Sequence, residues 1–412
     1  KLSVMRSWRH GASATGIVRL GLPPTTRRRF LTAQAQVFVG HDKPFELREF
    51  EVPPVLREGE VLVKIHLASI CGSDLHTVAG KRFEDTPLIL GHEGVGTVVA
   101  IGKDIMSRSH PNSSSCRVRE GDRITWSIAD SCGRCVECNL HKLPQKCGSL
   151  MKYGHRTIHD HVSPLTGTYA THIVLRRGTA IEVLPDGVTD RMAVPANCAL
   201  ATVSNSLDRQ RLPRYGSNKS AVIQGAGLLG IYAVAWLKKR IGMDNVFCID
   251  VNEGRLDTAA RFGAIPLLID PDLEAVAAEE ERRRRRSQIE SVVGPQGVDV
   301  VVEMTGARAV LPEGVELLRN GGHYAFCGMV HPDSNLSALT GEQIVRKCLT
   351  IRGVHNYAPW NLSEAVEFLL DFKDELPLES VVDPVTHSLE NLNEAFKVAQ
   401  GGEYCRVAVD CS

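Results

Sequence analysis

Short apolar runs recur through the second half of the chain at a spacing that predicts alternating strands and helices. Ala221 to Gln224, Asn245 to Ile249, Pro266 to Ile269, Val298 to Glu303 and His323 to Cys327 each have strand length, and segments of helical periodicity separate them. Such an alternation builds an α/β doubly wound parallel sheet, expected over residues 200–353. The longest uncharged stretch, Ser220 to Leu237, has 18 residues and on length alone raises a membrane span. Gln224 and three glycines inside it predict instead a strand, a tight turn and a buried helix ending at Lys238-Lys239-Arg240. Glu279 to Arg286, three acids followed by five arginines, reads as a solvated helix face whose charges suit the macrodipole and pair at i,i+4. Ser107 to Arg119, with His110-Pro111-Asn112 and a serine triplet, reads as a polar surface loop, and Cys116 within it as an exposed thiol.

Composition changes this picture in two ways. The chain has 412 residues, 48 basic and 48 acidic side chains, and 43% hydrophobic residues, which suits a soluble globular protein of two or three domains. Seven of the bases, Lys1, Arg6, Arg9, Arg19, Arg27, Arg28 and Arg29, precede the first acid, Asp42. Without them the body holds 41 bases against 48 acids, a sign that repels phosphate backbones and argues against a nucleic-acid partner. Residues 1–34 form a basic leader, rich in Arg, Ser and Thr, with the composition of a mitochondrial transit peptide; without import the expected location is cytoplasmic. Thr26-Arg27-Arg28-Arg29-Phe30-Leu31 is not a twin-arginine signal, because Thr-Ala-Gln-Ala-Gln replaces the apolar region that should follow. Three of the twelve cysteines fall in one seven-residue window, a distribution that suits metal thiolates better than a disulfide framework.

The run Gly225-Ala226-Gly227-Leu228-Leu229-Gly230 follows the strand at Ala221 and opens a helix, so the glycine fingerprint of dinucleotide binding stands in its required context. Gly225 permits the turn, Gly227 leaves room for a pyrophosphate, and Gly230 lets the helix pack close to the strand. The helix N-terminus then faces the phosphates. Asp250 ends the next strand, 20 residues after Gly230, where a carboxylate receives ribose hydroxyls. That pairing favours NAD over NADP, with Arg255 as the counter-indication.

Two groups of residues have metal-ligand chemistry. Cys132, Cys135, Cys138 and Cys147 place four thiolates within sixteen residues, enough to wrap one tetrahedral zinc in a closed structural site. The second group is dispersed: Cys71 in Cys-Gly-Ser-Asp-Leu-His, His92 in Gly-His-Glu-Gly-Val-Gly, and Cys198, which lies 27 residues before Gly225. Singly, each is an ordinary core residue; ahead of a dinucleotide fingerprint they carry more weight. His155, His159 and His161, with Asp160, invite a third metal site, but Pro164 and Gly167 suggest a loop whose histidines meet solvent or substrate.

From about residue 35 to its end the chain resembles the zinc-containing medium-chain alcohol dehydrogenases. The matching motifs are Cys71 with Ser73, Asp74 and His76; Gly-His-Glu at 91–93 with Gly96 and Gly102; the cysteine lobe; Cys198 with Thr202; and the glycine fingerprint. Leu143 to Cys147 and Lys152-Tyr153-Gly154-His155 are similar to a subgroup associated with phosphonate catabolism. The last lobe spacing is eight residues where the family usually has seven, a difference a loop absorbs.

The resemblance implies a mainly β GroES-like catalytic domain, split between residues 35–199 and 354–412, around a Rossmann-type nucleotide domain at 200–353. It implies two zincs per chain: a catalytic one on Cys71, His92 and Cys198, and a structural one on the four-cysteine lobe. Glu93 would sit behind the catalytic metal and Asp74 would fix the tautomer of His92. Two thiolates and a neutral imidazole offset the charge of Zn²⁺ and leave a Lewis acid for an alcohol oxygen. Ser73 would pass the alcohol proton through the nicotinamide ribose to His76, which exchanges with water. Thr202, Leu229, Thr305, Gly328 and Met329 would meet the cofactor, with plain core packing as the other role for Met329. The expected activity is oxidation of a primary or secondary alcohol, polyols included, with NAD, by a homodimer or homotetramer with neither membrane nor nucleic-acid partner. A catalytically silent NAD(H)-binding sensor of the same fold, and a zinc-free quinone-type reductase, are the rivals; loss of a catalytic ligand would mark either. Import of the leader predicts that N-terminal sequencing of the native protein finds a chain lacking residues 1 to about 30; a mature chain that retains residues 1–20 refutes it.

Overall fold

The computed structural model describes residues 31–103, 118–159, 163–208, 212, 218–331, 334–336 and 339–412. The leader to residue 30, most of the Ser107 to Arg119 insertion with Cys116, and Asp160 and His161 lie outside the described residues.

Six parallel strands form the doubly wound half in the order Ile265–Leu268, Asn245–Asp250, Ser220–Gln224, Val298–Glu303, Leu318–Phe326, Thr350–Gly353. Strand order reverses at Ser220–Gln224, whose neighbours lead away in opposite directions and open a crevice at the carboxyl ends. The central strands are buried on both faces, which accounts for their unbroken apolar runs. Two departures from the sequence expectation have local causes. Leu318–Phe326 starts five residues before His323, with a register shift against Val298–Glu303 where Gly321 and Gly322 interrupt the apolar pattern. Thr350–Gly353, absent from the expected strands, is an edge strand of half-exposed residues and carries no apolar signal.

The acid-then-arginine block lies in the helix Ala275–Val293, as its charge order predicts. One arginine corrects the reading of a wholly solvated face. Arg285 is buried, and its guanidinium donates to Glu313 through Nε at 3.0 Å and Nη2 at 3.2 Å, and to Glu281 through Nη1 at 2.7 Å.

The other half is mainly β. A seven-stranded sheet runs Val382–Ser388, Arg406–Asp410, Val61–Ser69, Glu93–Ile101, Arg123–Asp130, Thr179–Val183, with His172–Leu175 also paired to Val61–Ser69. A three-stranded sheet of Glu46–Glu51, Thr32–Phe38 and Leu88–Ile89 lies beside it. The chain's last strand therefore closes onto one of its first, with Ala408 opposite Ser69. At Gly96 a Cβ would stand 2.3 Å from the Lys64 carbonyl oxygen, so only glycine allows these neighbouring strands to approach as they do. Among the described residues, no helix is long and apolar enough to cross a membrane.

Glu303 organises the crevice. It ends a buried strand, has no exposed surface, and accepts from the backbone of Thr305 at 2.6 Å, the Thr305 hydroxyl at 3.0 Å, Gly306, and Gly328 at 3.0 Å. One carboxylate thus holds the loops after two adjacent strands. The Glu303→Gln variant sets an amide donor against those donors and should lower stability in urea unfolding by about 2–3 kcal/mol.

Candidate active site

Cys71, His92, Glu93 and Cys198 converge, their ligand atoms all within 4.8 Å of one another. Three local features bring them together. Cys71 caps the short helix Gly72–Val78 with extended backbone, so its side chain turns back from the helix start. His92 and Glu93 lead into Glu93–Ile101, where Gly91 takes φ +89° and Gly94 lies against Trp126. Cys198 sits in a π-helical turn, Ala196–Leu200, whose wider winding continues into the helix Ala201–Ser206.

Hydrogen bonds behind the cluster fix its members. Asp74 is buried and accepts through Oδ2 from the Cys71 backbone and the Tyr169 hydroxyl, each at 3.0 Å. Its Oδ1 faces His92 Nδ1 at 3.5 Å. Burial opposes a charge on His92, but Asp74 and Cys71 outweigh it and push the imidazole up to about 10. The contact with Cys198 holds the Cys71 thiol well below its usual value against burial, with help from Arg406 and His92. Two sulfurs, an imidazole whose other nitrogen faces a carboxylate, and a carboxylate oxygen form a donor set that fits Zn²⁺.

Glu93 is wholly buried and meets the guanidinium of Arg406 with both oxygens, at 2.7 and 2.8 Å; the Ser69 hydroxyl adds a third bond at 2.5 Å. Burial pushes the Glu93 carboxyl up to about 7 despite Arg406. Arg406 Nη2 also reaches Cys71 Sγ at 3.4 Å. The sequence reading missed both Arg406 and Tyr169. A lone arginine opening the apolar run Val407-Ala408-Val409 was the available sign of a buried charge.

The fingerprint glycines have three separate geometries. Gly225 takes φ +108° with a would-be Cβ 2.9 Å from Thr305, Gly227 has nothing within 4 Å, and a Cβ at Gly230 would stand 1.8 Å from the Gly225 carbonyl oxygen. Leu228–Trp236 is helical, and Leu229 within it is half-buried. Asp250 accepts from Ala226 N–H at 2.6 Å and Asn252 N–H at 2.8 Å, which sets its carboxylate at the rim of the crevice. Arg255 is directed elsewhere, its Nη2 donating to the Gly402 carbonyl at 3.2 Å. Thr202 hydrogen-bonds the Cys198 carbonyl at 2.7 Å, Thr305 is exposed, Gly328 is half-buried on Glu303, and Met329 packs partly buried on the core beneath the sheet.

The four lobe cysteines also gather within 4.8 Å. Backbone N–H groups of Cys132 and Ser149 point at Cys147 Sγ at 3.3 and 3.4 Å, and that of Cys135 at Cys132 Sγ at 3.4 Å, bonds that favour thiolates. None of the described cysteines forms a disulfide. Ser73 is half-buried in the first turn of Gly72–Val78, and exposed His76 in the same helix meets His331 of the opposite half at 3.1 Å. Among the described residues no third metal cluster forms: His159 is exposed, while His155 is turned inward onto Glu84.

A β-rich half bearing a cysteine–histidine centre, joined to a doubly wound nucleotide half, defines the class of zinc-binding dehydrogenases. Residues 57–186 match the alcohol dehydrogenase GroES-like domain and residues 229–371 the zinc-binding dehydrogenase domain. The chain is 28% identical to 5-exo-hydroxycamphor dehydrogenase of Pseudomonas putida over 92% of its length and 98% of that protein's. It is 26% identical to sorbitol dehydrogenase of Bacillus subtilis over 84% of its length and 91% of that protein's. An alcohol dehydrogenase structure from Thermotoga maritima superposes with a TM-score of 0.82 at 29% identity, covering 92% of this chain and 99% of that one. The chain belongs to the zinc-containing medium-chain alcohol dehydrogenase family, and is an oxidoreductase acting on CH–OH donors.

Replacing Arg406 by Met leaves the buried Glu93 without its bidentate guanidinium partner. Urea unfolding should show a loss of about 3–5 kcal/mol, and part of it should return in the double variant with Glu93→Gln.

Proposed function

We propose that the protein oxidises a primary or secondary alcohol, polyols included, with NAD, and that it holds two zincs per chain in a dimer or tetramer. The convergence of Cys71, His92 and Cys198 carries the reading, because nothing in the local sequence of each requires the other two. Asp250 at the rim and Arg255 engaged with Gly402 support NAD over NADP. The four-cysteine lobe supports a second, structural metal. No catalytic ligand is lost, so no observation favours the silent sensor.

When bound, zinc supplies a Lewis acid that eases deprotonation of the alcohol, and NAD supplies the hydride acceptor. The chain's own residues do the remainder. Asp74 orients His92 so that its second nitrogen faces the sulfurs. Ser73, two residues from Cys71, takes the proton released by the substrate hydroxyl. His76 delivers it to water: partial desolvation of its ring, and then His331, hold this histidine below its ordinary value, so it is neutral and able to accept near pH 7. Arg406 keeps Glu93 drawn back from the sulfurs through two hydrogen bonds.

Metal mass spectrometry on residues 31–412 purified without chelator should find two zincs per chain. Cys71→Ser and His92→Ala should each remove one zinc and lower NAD-linked alcohol oxidation at least about a thousandfold, while NADH still binds. Full activity in either variant, or a wild type with one zinc that both variants retain, would overturn the reading.

A further inference from the structure

The wall of the site beside His92 carries charge that the chemistry above leaves unused. His155 lies with its ring 5.9 Å from that of His92, its side chain only 7% exposed. Its Nδ1 meets Glu84 Oε1 at 2.7 Å, and Arg82 Nε meets the same oxygen at 2.8 Å. The Glu84 carboxylate can only accept at this contact, so Nδ1 carries the proton and donates it, and Nε2 is left as an acceptor that is buried with no partner. Burial, together with Lys152, His92 and Arg82, holds His155 well below the usual histidine range and keeps it neutral. Glu84 is thus committed to Arg82 and His155.

Lys152 has no such commitment. Partly enclosed, it makes neither a hydrogen bond nor an ion pair through its ammonium among the described residues. Its backbone bridges Ala129, and Gly154 two residues on presses against Gly91, where a Cβ would stand 2.5 Å from the Gly91 carbonyl oxygen. That packing fixes the segment 152–155 beside His92. Burial, and then Arg82, push the Lys152 ammonium below the usual lysine range against the attraction of Cys198, Cys71 and Asp74, so an anion brought beside it relieves an unfavourable charge. Across the same wall Lys146 Nζ meets His355 Nδ1 at 2.7 Å, and burial with Lys146, Lys152 and Arg82 brings His355 down to about 4. Arg82 and Lys152 therefore stand beside a carboxylate, Glu84, that is already in use, and Asp74 is committed to Cys71, Tyr169 and His92. Cys71 and Cys198 would not supply the missing charge, because a divalent metal held by them would offset it.

We propose that Lys152 is the counter-charge for an oxyanion borne by the substrate, so that the site takes hydroxy acids or phosphorylated alcohols in preference to neutral alcohols of the same frame. This rests on the alcohol-oxidising reading above. The unpartnered Nε2 of His155, beside His92, accepts a hydrogen bond from a hydroxyl of that substrate. The residue acts on binding and orientation and moves no proton or hydride.

Two matched pairs of alcohols test this: 3-hydroxybutanoate against 2-butanol for a carboxylate, and glycerol 3-phosphate against glycerol for a phosphate. The zinc-loaded wild type should show kcat/KM at least tenfold higher for the charged member of one pair or both, and which pair responds identifies the oxyanion. Lys152→Met should collapse that ratio at least tenfold, and Lys152→Arg should restore most of it. In parallel, malonate and inorganic phosphate are titrated into the enzyme–NADH complex and followed by nicotinamide fluorescence. Lys152→Met should weaken whichever anion binds at least tenfold. Equal or better turnover of both neutral members overturns the proposal, as does anion binding indifferent to the substitution. If no alcohol is oxidised although zinc and NADH are bound, the functional reading fails and the anion titration still decides the role of Lys152.

Discussion

Three acidic groups, the thiols of Cys71 and Cys198 and the carboxyl of Glu93, lie within a few ångströms of one another inside the protein, and much of the architecture follows from making that crowd tolerable. Like charges in a medium of low polarisability repel strongly, so each needs a nearby positive partner. Arg406 provides one, bidentate to Glu93 and within reach of Cys71. A divalent cation would provide the other, and the four donors have the chemistry to hold it. The constraint reaches the fold because the partners come from distant parts of the chain. Cys71 precedes a short helix, His92 and Glu93 open a strand, Cys198 lies on a π-helical turn, and Arg406 belongs to the last strand.

A similar economy operates in the nucleotide-binding half, with backbone rather than side-chain charge. Gly230 removes a side chain so that helix and strand can touch, and Gly225 supplies a left-handed turn beside Thr305. Glu303 then acts from below, a buried acceptor for donors of the loops that follow two parallel strands. The open rim is left to Asp250, which the backbone of Ala226 and Asn252 holds in place. Where the two halves meet, His76 and His331 touch across the opening.

How much of this could be read from the sequence depended on whether the signal was local. The doubly wound sheet was legible because strand, turn and helix follow in order and because glycines answer steric demands only a few residues away. The edge strand Thr350–Gly353 was not, since a half-exposed strand needs no apolar run. The four-cysteine lobe was legible from spacing alone. The dispersed site was legible only through family resemblance, and even then its support was missed. Tyr169 on Asp74, Arg406 on Glu93 and Glu84 on His155 are side-chain pairs separated by 95, 313 and 71 residues, and no window of sequence contains them. Arg285 shows the converse: a run of arginines hid the one that the fold buries.

The position of Arg406 also bears on how the molecule comes into being. On a ribosome the strand Glu93–Ile101 emerges more than three hundred residues before the guanidinium that neutralises its first side chain. Until the strand Arg406–Asp410 is released, Val61–Ser69 lacks one of its sheet neighbours, and Ser69 lacks its partner Ala408. The six parallel strands between residues 220 and 353 are all available by then. Vectorial synthesis therefore favours a nascent chain in which the doubly wound half is already compact while the β-rich half waits for the strand Arg406–Asp410, and the cluster around Glu93 is among the last features to be assembled.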